Sequence, residues 1–229
     1  MAARTFGRGL RVIQAYRQSD SEPLPIEELS EALHAMHGAG LTELDTARSY
    51  NHGITGRESE VLLGAALATL PPDMAAQFTI STKLSPGQGI DPEPERGFRH
   101  GAVLAQGDAS RSSLGRDSVL VLYLHSPDLE TDLDETLSAV NELHKQGFFQ
   151  DFGISNFPAW QVMQVYMRCK ALGYCLPAVC ASPLLHTSVP APILLLLLHL
   201  HMVCPTQTKA CTTLWAAKSR RTSCLAFEC

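Results

Sequence analysis

Between residues 25 and 180, apolar and polar positions follow two patterns that take turns along the chain. In the first pattern, apolar residues recur at helical spacing, as at Leu29, Leu33 and Met36, before glycines end the segment. In the second pattern, a short apolar run stops at a polar residue, as in the segment 41–46. The two patterns predict a helix from residue 26, then a strand at 41–46, and hence an α/β protein.

The same alternation continues to residue 180, and the short runs are β-favouring or wholly apolar. A short first strand is expected near residues 10–13. Three prolines and three glycines over 85–100 predict a loop at the end where the strands finish, a place where loops commonly shape substrate pockets. The further predicted strands are 78–83, 118–124, 151–156 and 176–180, and the further predicted helices are 58–70, 101–115, 132–146 and 158–173.

Polar or titratable side chains stand at the ends of four successive predicted strands. In a parallel α/β barrel the carboxyl ends of the strands meet at one face, and active sites are built there. We therefore predict a parallel barrel whose strand ends contribute to one active site. The candidate residues are Asp45, Tyr50 five positions later, Lys83, His125, Ser155 and Asn156.

Composition limits the classes of function. A chain of 229 residues with 45% hydrophobic content can bury a sizeable core, in one α/β domain or two small ones. A net charge of −5 and a pI near 6.0 argue against binding to nucleic acid or to an anionic membrane, because both need clustered basic residues. We therefore expect a small-molecule partner, no nucleic acid and no membrane.

The cysteines and the N-terminal residues bear on location. All seven cysteines lie beyond residue 168, and their odd number without CxxC spacing indicates free thiols in a reducing compartment. The first sixteen residues lack the apolar core of a secretory signal. We expect a cytoplasmic protein, and the arginine-rich, acid-poor start leaves a mitochondrial location as the alternative.

The candidate residues suit reduction of a carbonyl group, in which a hydride reaches carbon and a proton reaches oxygen. A neighbouring ammonium favours the ionised form of a phenol, so Lys83 would make Tyr50 a usable proton donor near neutral pH. Asp45 would pair with and position Lys83, and His125 would hold the carbonyl oxygen by hydrogen bonding. The hydride must come from a cofactor, because no side chain donates one.

Each candidate residue also has a purely structural interpretation. Asp45 would then cap a loop, and Tyr50 would be a surface aromatic. Lys83 would be a solvated charge, and His125 a core histidine with satisfied hydrogen bonds. Taken singly, these interpretations are the default, whereas the ordered series of strand ends favours the catalytic interpretation.

The chain resembles the aldo-keto reductase superfamily over residues 26–179. The motifs ELDTARSYNHG with ESEVLLGAAL, then ISTK, LVLYLHSPD and GFFQDFGISNF occur in the order in which that family has them. The sequences of these motifs look most similar to the aflatoxin aldehyde reductase-like branch, which is related to the potassium-channel β subunits. The resemblance implies a (β/α)8 TIM barrel that uses NADPH to reduce aldehydes or ketones to alcohols.

The resemblance also implies roles for individual residues. Ser155 and Asn156 match the pair that contacts the nicotinamide carboxamide of the cofactor. The catalytic tetrad of the family matches Asp45, Tyr50, Lys83 and His125.

The C-terminal part departs from the family pattern. After residues 177–179 the family has Gln and then Asn, whereas this chain continues with Cys180 and Ala181. From there the alternation of strands and helices stops, and the seventh and eighth strands, with the groups that grip the cofactor's phosphates, have no recognisable counterpart. We expect a barrel portion at 1–179 and an atypical tail at 180–229, from truncation or a shifted reading frame, and hence an incomplete, poorly stable barrel.

The tail offers two further features. Its longest apolar run, 193–198, is shorter than the roughly 20 residues that a membrane span needs. His199, His201 and Cys204 lack a fourth ligand and paired spacing, so we predict no metal site. Besides a reductase, the sequence leaves open an inactive isoform or a regulatory or interaction subunit of the channel β-subunit type, and it leaves assembly into a homo-oligomer open.

Overall fold

The structure is a computed structural model, and it describes residues 11–12, 25–50, 59–87 and 97–181. Strands and helices alternate through these residues, as the sequence predicts. The strands are β1 (Arg11–Val12), β2 (Glu43–Asp45), β3 (Thr79–Leu84), β4 (Val119–Leu124), β5 (Phe149–Ser155) and β6 (Pro177–Ala181), and the helices are α1 (Ile26–Gly38), α2 (Ser59–Thr69), α3 (Pro72–Ala75), α4 (His100–Leu114), α5 (Leu133–Lys145) and α6 (Ala159–Leu172).

The six strands of the described residues form one parallel sheet in the order β1-β2-β3-β4-β5-β6. A doubly wound sheet would reverse its strand order part-way, so the sequential order is that of a (β/α)8 barrel wall. The register pairs Lys83 with Tyr123 and Tyr123 with Gly153, which places these three residues at one level across β3, β4 and β5. The predicted parallel barrel arrangement is therefore present in this part of the chain.

The two faces of β3 have different surroundings. Thr82 is fully buried and hydrogen-bonds to Glu60 of α2, so its side chain points toward the helices. Because side chains alternate along a strand, Lys83 points to the other face of the sheet, which is the inner face of the barrel wall. Five of the six residues of β3 are buried, as expected of a parallel strand covered on both faces.

The helices begin and end where local chemistry favours it. Asp132 caps α5, since its carboxylate accepts hydrogen bonds from the backbone N–H groups of Asp134 and Glu135. Gly173 ends α6 in a left-handed conformation with φ of 67°, which costs glycine little. These signals are local, and they account for the agreement between predicted and observed helix bounds.

Two features differ from the sequence prediction. The sequence predicts no helix between the helix at 58–70 and the strand at 78–83, but Pro72 begins the short helix α3 there, because a proline is favoured in the first turn. Strand β6 continues to Ala181, one residue past the end of the strand predicted at 176–180, and pairs there with the end of β5. The division into a barrel portion and a tail remains a prediction, because residues from 182 onward lie outside the described part.

Other expectations also fall on residues that the structure does not describe. They concern residues 88–96, which are most of the loop predicted at 85–100, and the tail residues His199, His201 and Cys204. Among the helices that are described, none has the length and apolar character needed to cross a membrane.

Helices α2 and α4 approach each other closely at Gly64. A Cβ atom added there would lie 2.0 Å from the backbone oxygen of Ser113, at the end of α4. Backbone atoms cannot move aside as the tip of a side chain can. The contact between the two helices therefore requires glycine at this position.

We expect Gly64→Ala to destabilise the chain. Separating α2 from α4 should lower the free energy of unfolding by about 1 to 3 kcal/mol, the usual cost of overpacking. Gly101→Ala in the first turn of α4 is the matched control, because an added Cβ meets nothing within 4 Å there. Urea unfolding of the two variants measures the difference, and equal stability of both would contradict the close approach.

Candidate active site

A buried ion pair joins the ends of β2 and β3. Lys83 Nζ donates to Asp45 Oδ2 at 2.5 Å and to the backbone oxygen of Thr46 at 2.8 Å. Asp45 and Lys83 are each only 5% exposed. Burial raises the pKa of the Asp45 carboxyl group, and the neighbouring ammonium opposes that rise. The pair thus places a cation, held on two sides, at the carboxyl ends of the strands.

Tyr50 lies in the loop after β2 and faces this cation. The centroid of its ring is 5.0 Å from Lys83 Nζ. A backbone hydrogen bond of 3.2 Å from Tyr50 N to Ala47 O forms the turn that brings the loop back over the strand end. The phenol ring is therefore held next to an ammonium group, as the sequence interpretation requires.

His125 follows β4 directly and completes the cluster. Its ring centroid lies 5.6 Å from that of Tyr50, with the two planes at 79°. A hydrogen bond of 2.9 Å joins the Ser49 hydroxyl to His125 Nδ1. Burial, and secondly the charge of Lys83, lower the pKa of His125 from 6.5 to about 4. The imidazole is therefore neutral near pH 7.

A second tyrosine forms the inner wall beside Lys83. The ring centroid of Tyr123 is 5.7 Å from Lys83 Nζ, and the residue is 4% exposed. Burial, and then the nearby charge of Asp45, raise the pKa of this phenol, so it stays protonated. The ring fits because of Gly153, where a Cβ atom would lie 2.3 Å from Tyr123 Cδ1.

Ser155 and Asn156 lie at the end of β5, beside the cluster. Asn156 adopts a left-handed conformation with φ of 61°, which asparagine tolerates better than most residues. Its amide nitrogen donates to the backbone oxygen of His125 at 2.8 Å and to the Ser155 hydroxyl at 3.2 Å. Asn156 thus ties the end of β5 to the end of β4, next to the imidazole.

The structure brings the four predicted catalytic residues together at one end of the sheet. The interpretation of Lys83 as a solvated charge is wrong, since the residue is buried and paired. The interpretation of Tyr50 as a plain surface aromatic does not hold either, because the Lys83 ammonium lies 5.0 Å from its ring centroid and the ring packs edge-on against His125. The catalytic roles, and the cofactor-binding roles of Ser155 and Asn156, remain predictions.

Two residues of the cluster, Ser49 and Tyr123, were not predicted from the sequence. Tyr123 stands two positions before His125 on β4, so strand alternation would have placed both side chains on the inner face. Ser49 lies in a loop, where periodicity gives no direction for a side chain. Its contact with His125 depends on the turn that only the folded chain shows.

A family model described as "Aldo/keto reductase family" matches residues 15–188, which is more than half of the chain. The chain belongs to the aldo/keto reductase family. Members of this family are (β/α)8 barrels, which agrees with the sequential parallel sheet. The resemblance inferred from the motifs is therefore confirmed.

Several curated relatives are similar over part of their length. The oxidoreductase sirO of Leptosphaeria maculans is 37% identical over 160 residues, which cover 69% of this chain and 43% of that protein. Aflatoxin B1 aldehyde reductase member 2 of Rattus norvegicus is 37% identical over 141 residues, covering 61% and 35%, respectively. The human protein of the same name is 35% identical over 148 residues, covering 65% and 38%. The chain thus spans less than half the length of these relatives.

The low pKa of His125 predicts that stability depends on pH. As the pH falls below 6.5 the unfolded chain takes up a proton on this residue, whereas the folded chain does so only near 4. The free energy of unfolding should therefore decrease between these values. From pH 7 to pH 5 we expect a loss on the order of 1 kcal/mol from His125, after allowing for solvent screening of a partly exposed ring.

Urea unfolding of the original chain and of His125→Gln at both pH values isolates this contribution. Asp45 and Glu60 have raised pKa values, so the folded chain binds their protons first and their effect has the opposite sign. Both proteins share these acids, and their contribution cancels in the comparison. The same pH dependence in both proteins would show that the imidazole is not held neutral.

Proposed function

We propose that this chain carries the catalytic strand ends of an aldo-keto reductase that reduces an aldehyde or ketone to an alcohol with NADPH. The observation that supports this proposal is the buried Asp45–Lys83 pair, whose ammonium nitrogen lies 5.0 Å from the ring centroid of Tyr50. A surface tyrosine does not need a neighbouring cation. A phenol that donates a proton benefits from one, because the cation favours the ionised form of the phenol.

Tyr50 is the proposed proton donor to the carbonyl oxygen. As its O–H bond breaks, the proton passes to the oxygen of the substrate, and Lys83 stabilises the phenolate that remains. Asp45 holds Lys83 in place, and the backbone oxygen of Thr46 accepts a second hydrogen bond from the same ammonium group. The cation therefore stays near the phenol while negative charge develops there.

His125 is the proposed group that orients the carbonyl oxygen. In the proposed tautomer, Nδ1 accepts from the Ser49 hydroxyl 2.9 Å away, so the neutral imidazole carries its proton on Nε2 and donates it in a hydrogen bond to the carbonyl oxygen. A neutral donor suits this task, because an imidazolium would compete with Tyr50 as the acid. Burial keeps the ring in this neutral form, since it lowers the pKa of His125 to about 4.

The residues at the end of β5 fit a nicotinamide cofactor. When bound, NADPH would supply the hydride that the carbonyl carbon receives. A carboxamide both donates and accepts hydrogen bonds, and the Ser155 hydroxyl and Asn156 amide are groups of matching type. Asn156 is anchored to the backbone of His125, so these groups have a fixed position relative to the catalytic cluster. Ser155 and Asn156 would therefore hold the carboxamide.

The described cysteines support the proposed cytoplasmic location. Cys169, Cys175 and Cys180 form no disulfides. Burial raises the pKa of Cys169 to about 12 and that of Cys175 to about 11, so neither thiol is reactive at neutral pH. Unreactive free thiols of this kind suit a reducing compartment.

Titration calorimetry of the purified chain with NADPH is the first test, followed by assays with a small aldehyde. We expect Tyr50→Phe to lower turnover by a factor of about 10² to 10⁴, the usual contribution of a general acid, and to leave NADPH affinity unchanged. Tyr166→Phe on α6 is the matched control, because that tyrosine is outside the cluster.

The outcomes separate the candidate functions. Turnover that survives in Tyr50→Phe would show that the proton donor is another group. NADPH binding without turnover in the original chain would indicate an inactive isoform that keeps the cofactor. The absence of NADPH binding would favour the regulatory or interaction subunit, and co-purification with a complete relative would then be the next measurement.

A further inference from the structure

A buried carboxylate outside the proposed tetrad lies directly behind it. Glu60, in the first turn of α2, is 1% exposed. It accepts a hydrogen bond from the Thr82 hydroxyl at 2.5 Å and from the Ser110 hydroxyl at 3.0 Å. Arg48 Nη1 lies 3.4 Å from the same carboxylate and forms an ion pair with it. One side chain of α2 thus contacts β3, α4 and the loop after β2.

Two of these three partners are next to proposed catalytic residues. Thr82 precedes Lys83 on β3 and points to the opposite face of the strand. Arg48 is two positions before Tyr50, and its backbone N–H donates to the backbone oxygen of Lys83 at 3.2 Å. The carboxylate of Glu60 therefore connects the backbone that carries the lysine to the loop that carries the phenol.

Ser59, the residue before Glu60, makes a second connection between α2 and the loop that carries Tyr50. The backbone N–H of Ser59 donates to the backbone oxygen of Tyr50 at 3.2 Å. The Ser59 hydroxyl is 2.9 Å from the hydroxyl of Thr46, whose backbone oxygen accepts from Lys83. The start of α2 thus contacts the loop of Tyr50 at several points, and the contact of Glu60 with Arg48 is the ion pair among them.

Stability alone is a weak reason to bury a charge here. Removing a carboxylate from water costs free energy, and buried ion pairs are often replaceable by apolar residues without loss of stability. A charged group with several hydrogen bonds does, however, fix the relative positions of its partners more tightly than apolar contacts. The geometry of this network therefore points to a positioning role.

We infer that Glu60 is a positioning residue, which holds Lys83 and Tyr50 at a fixed separation through Thr82 and Arg48. This inference rests on the proposed function, because the separation matters only if Tyr50 donates a proton. It adds a residue outside the tetrad to the set that determines turnover.

Two of the partners provide a matched pair of variants. Thr82→Val and Ser110→Ala each remove one hydroxyl donor from the same carboxylate, and both residues are fully buried. The Thr82 hydrogen bond leads to the strand of Lys83, whereas the Ser110 hydrogen bond leads to α4, which carries none of the proposed catalytic residues. A purely structural network would respond to both losses alike.

We expect Glu60→Gln and Thr82→Val to lower kcat about 10- to 100-fold with little change in KM, since small displacements of catalytic groups cost that much. Ser110→Ala should keep the kcat of the original chain. Equal losses of kcat in Thr82→Val and Ser110→Ala, or an unchanged kcat in Glu60→Gln, would overturn the positioning role.

Amide hydrogen exchange tests the same inference without turnover. The positioning role predicts faster exchange at Arg48 and Tyr50 in Glu60→Gln and Thr82→Val, and unchanged exchange there in Ser110→Ala. If the original chain proves inactive, the proposed function fails while this measurement still decides whether Glu60 holds the loop. Uniform changes of exchange across α2 and α4 in all three variants would show that Glu60 is only a structural contact.

Discussion

The cluster at the strand ends depends on one interaction, the buried ion pair of Asp45 and Lys83. A lysine that is 5% exposed needs a nearby anion to remain charged, and the carboxylate 2.5 Å away provides it. The pair joins β2 to β3 and sets where the ammonium stands. The ring of Tyr50 and the inner wall formed by Tyr123 are both arranged around that cation. Without the pair, no buried cation would lie between the two tyrosine rings.

The pair in turn relies on the division of the sheet into two faces. On β3, Lys83 points to the inner face of the sheet. Its neighbour Thr82 points to the helices, where it hydrogen-bonds to Glu60. A charged network therefore lies on each side of one strand, the first in the proposed active site and the second between sheet and helices. Period-two alternation links them, because moving one residue of a strand also moves the next. This is how a helix side chain can affect a site that it does not touch.

Most of the fold is predictable from the sequence because its signals are local. Helical spacing, strand-forming runs, caps such as Asp132 and stops such as Gly173 act within a few residues of chain. The candidate residues at the strand ends follow as well, since parallel strands bring their carboxyl ends to one face. The short helix α3 escaped this reasoning, because Pro71-Pro72 ends one helix and also starts another.

The order of strands and helices apart from α3, the family, and the polar residues at strand ends can all be read from the sequence. Which of those residues meet is visible only in the folded chain, which also adds Ser49, Tyr123 and Glu60 to them. The reason is physical. Periodicity describes neighbours within a few residues, whereas contacts such as Ser49 with His125 span 76 positions and depend on how loops and helices pack. The burial of Glu60 likewise exists only where α2, α4 and β3 come together.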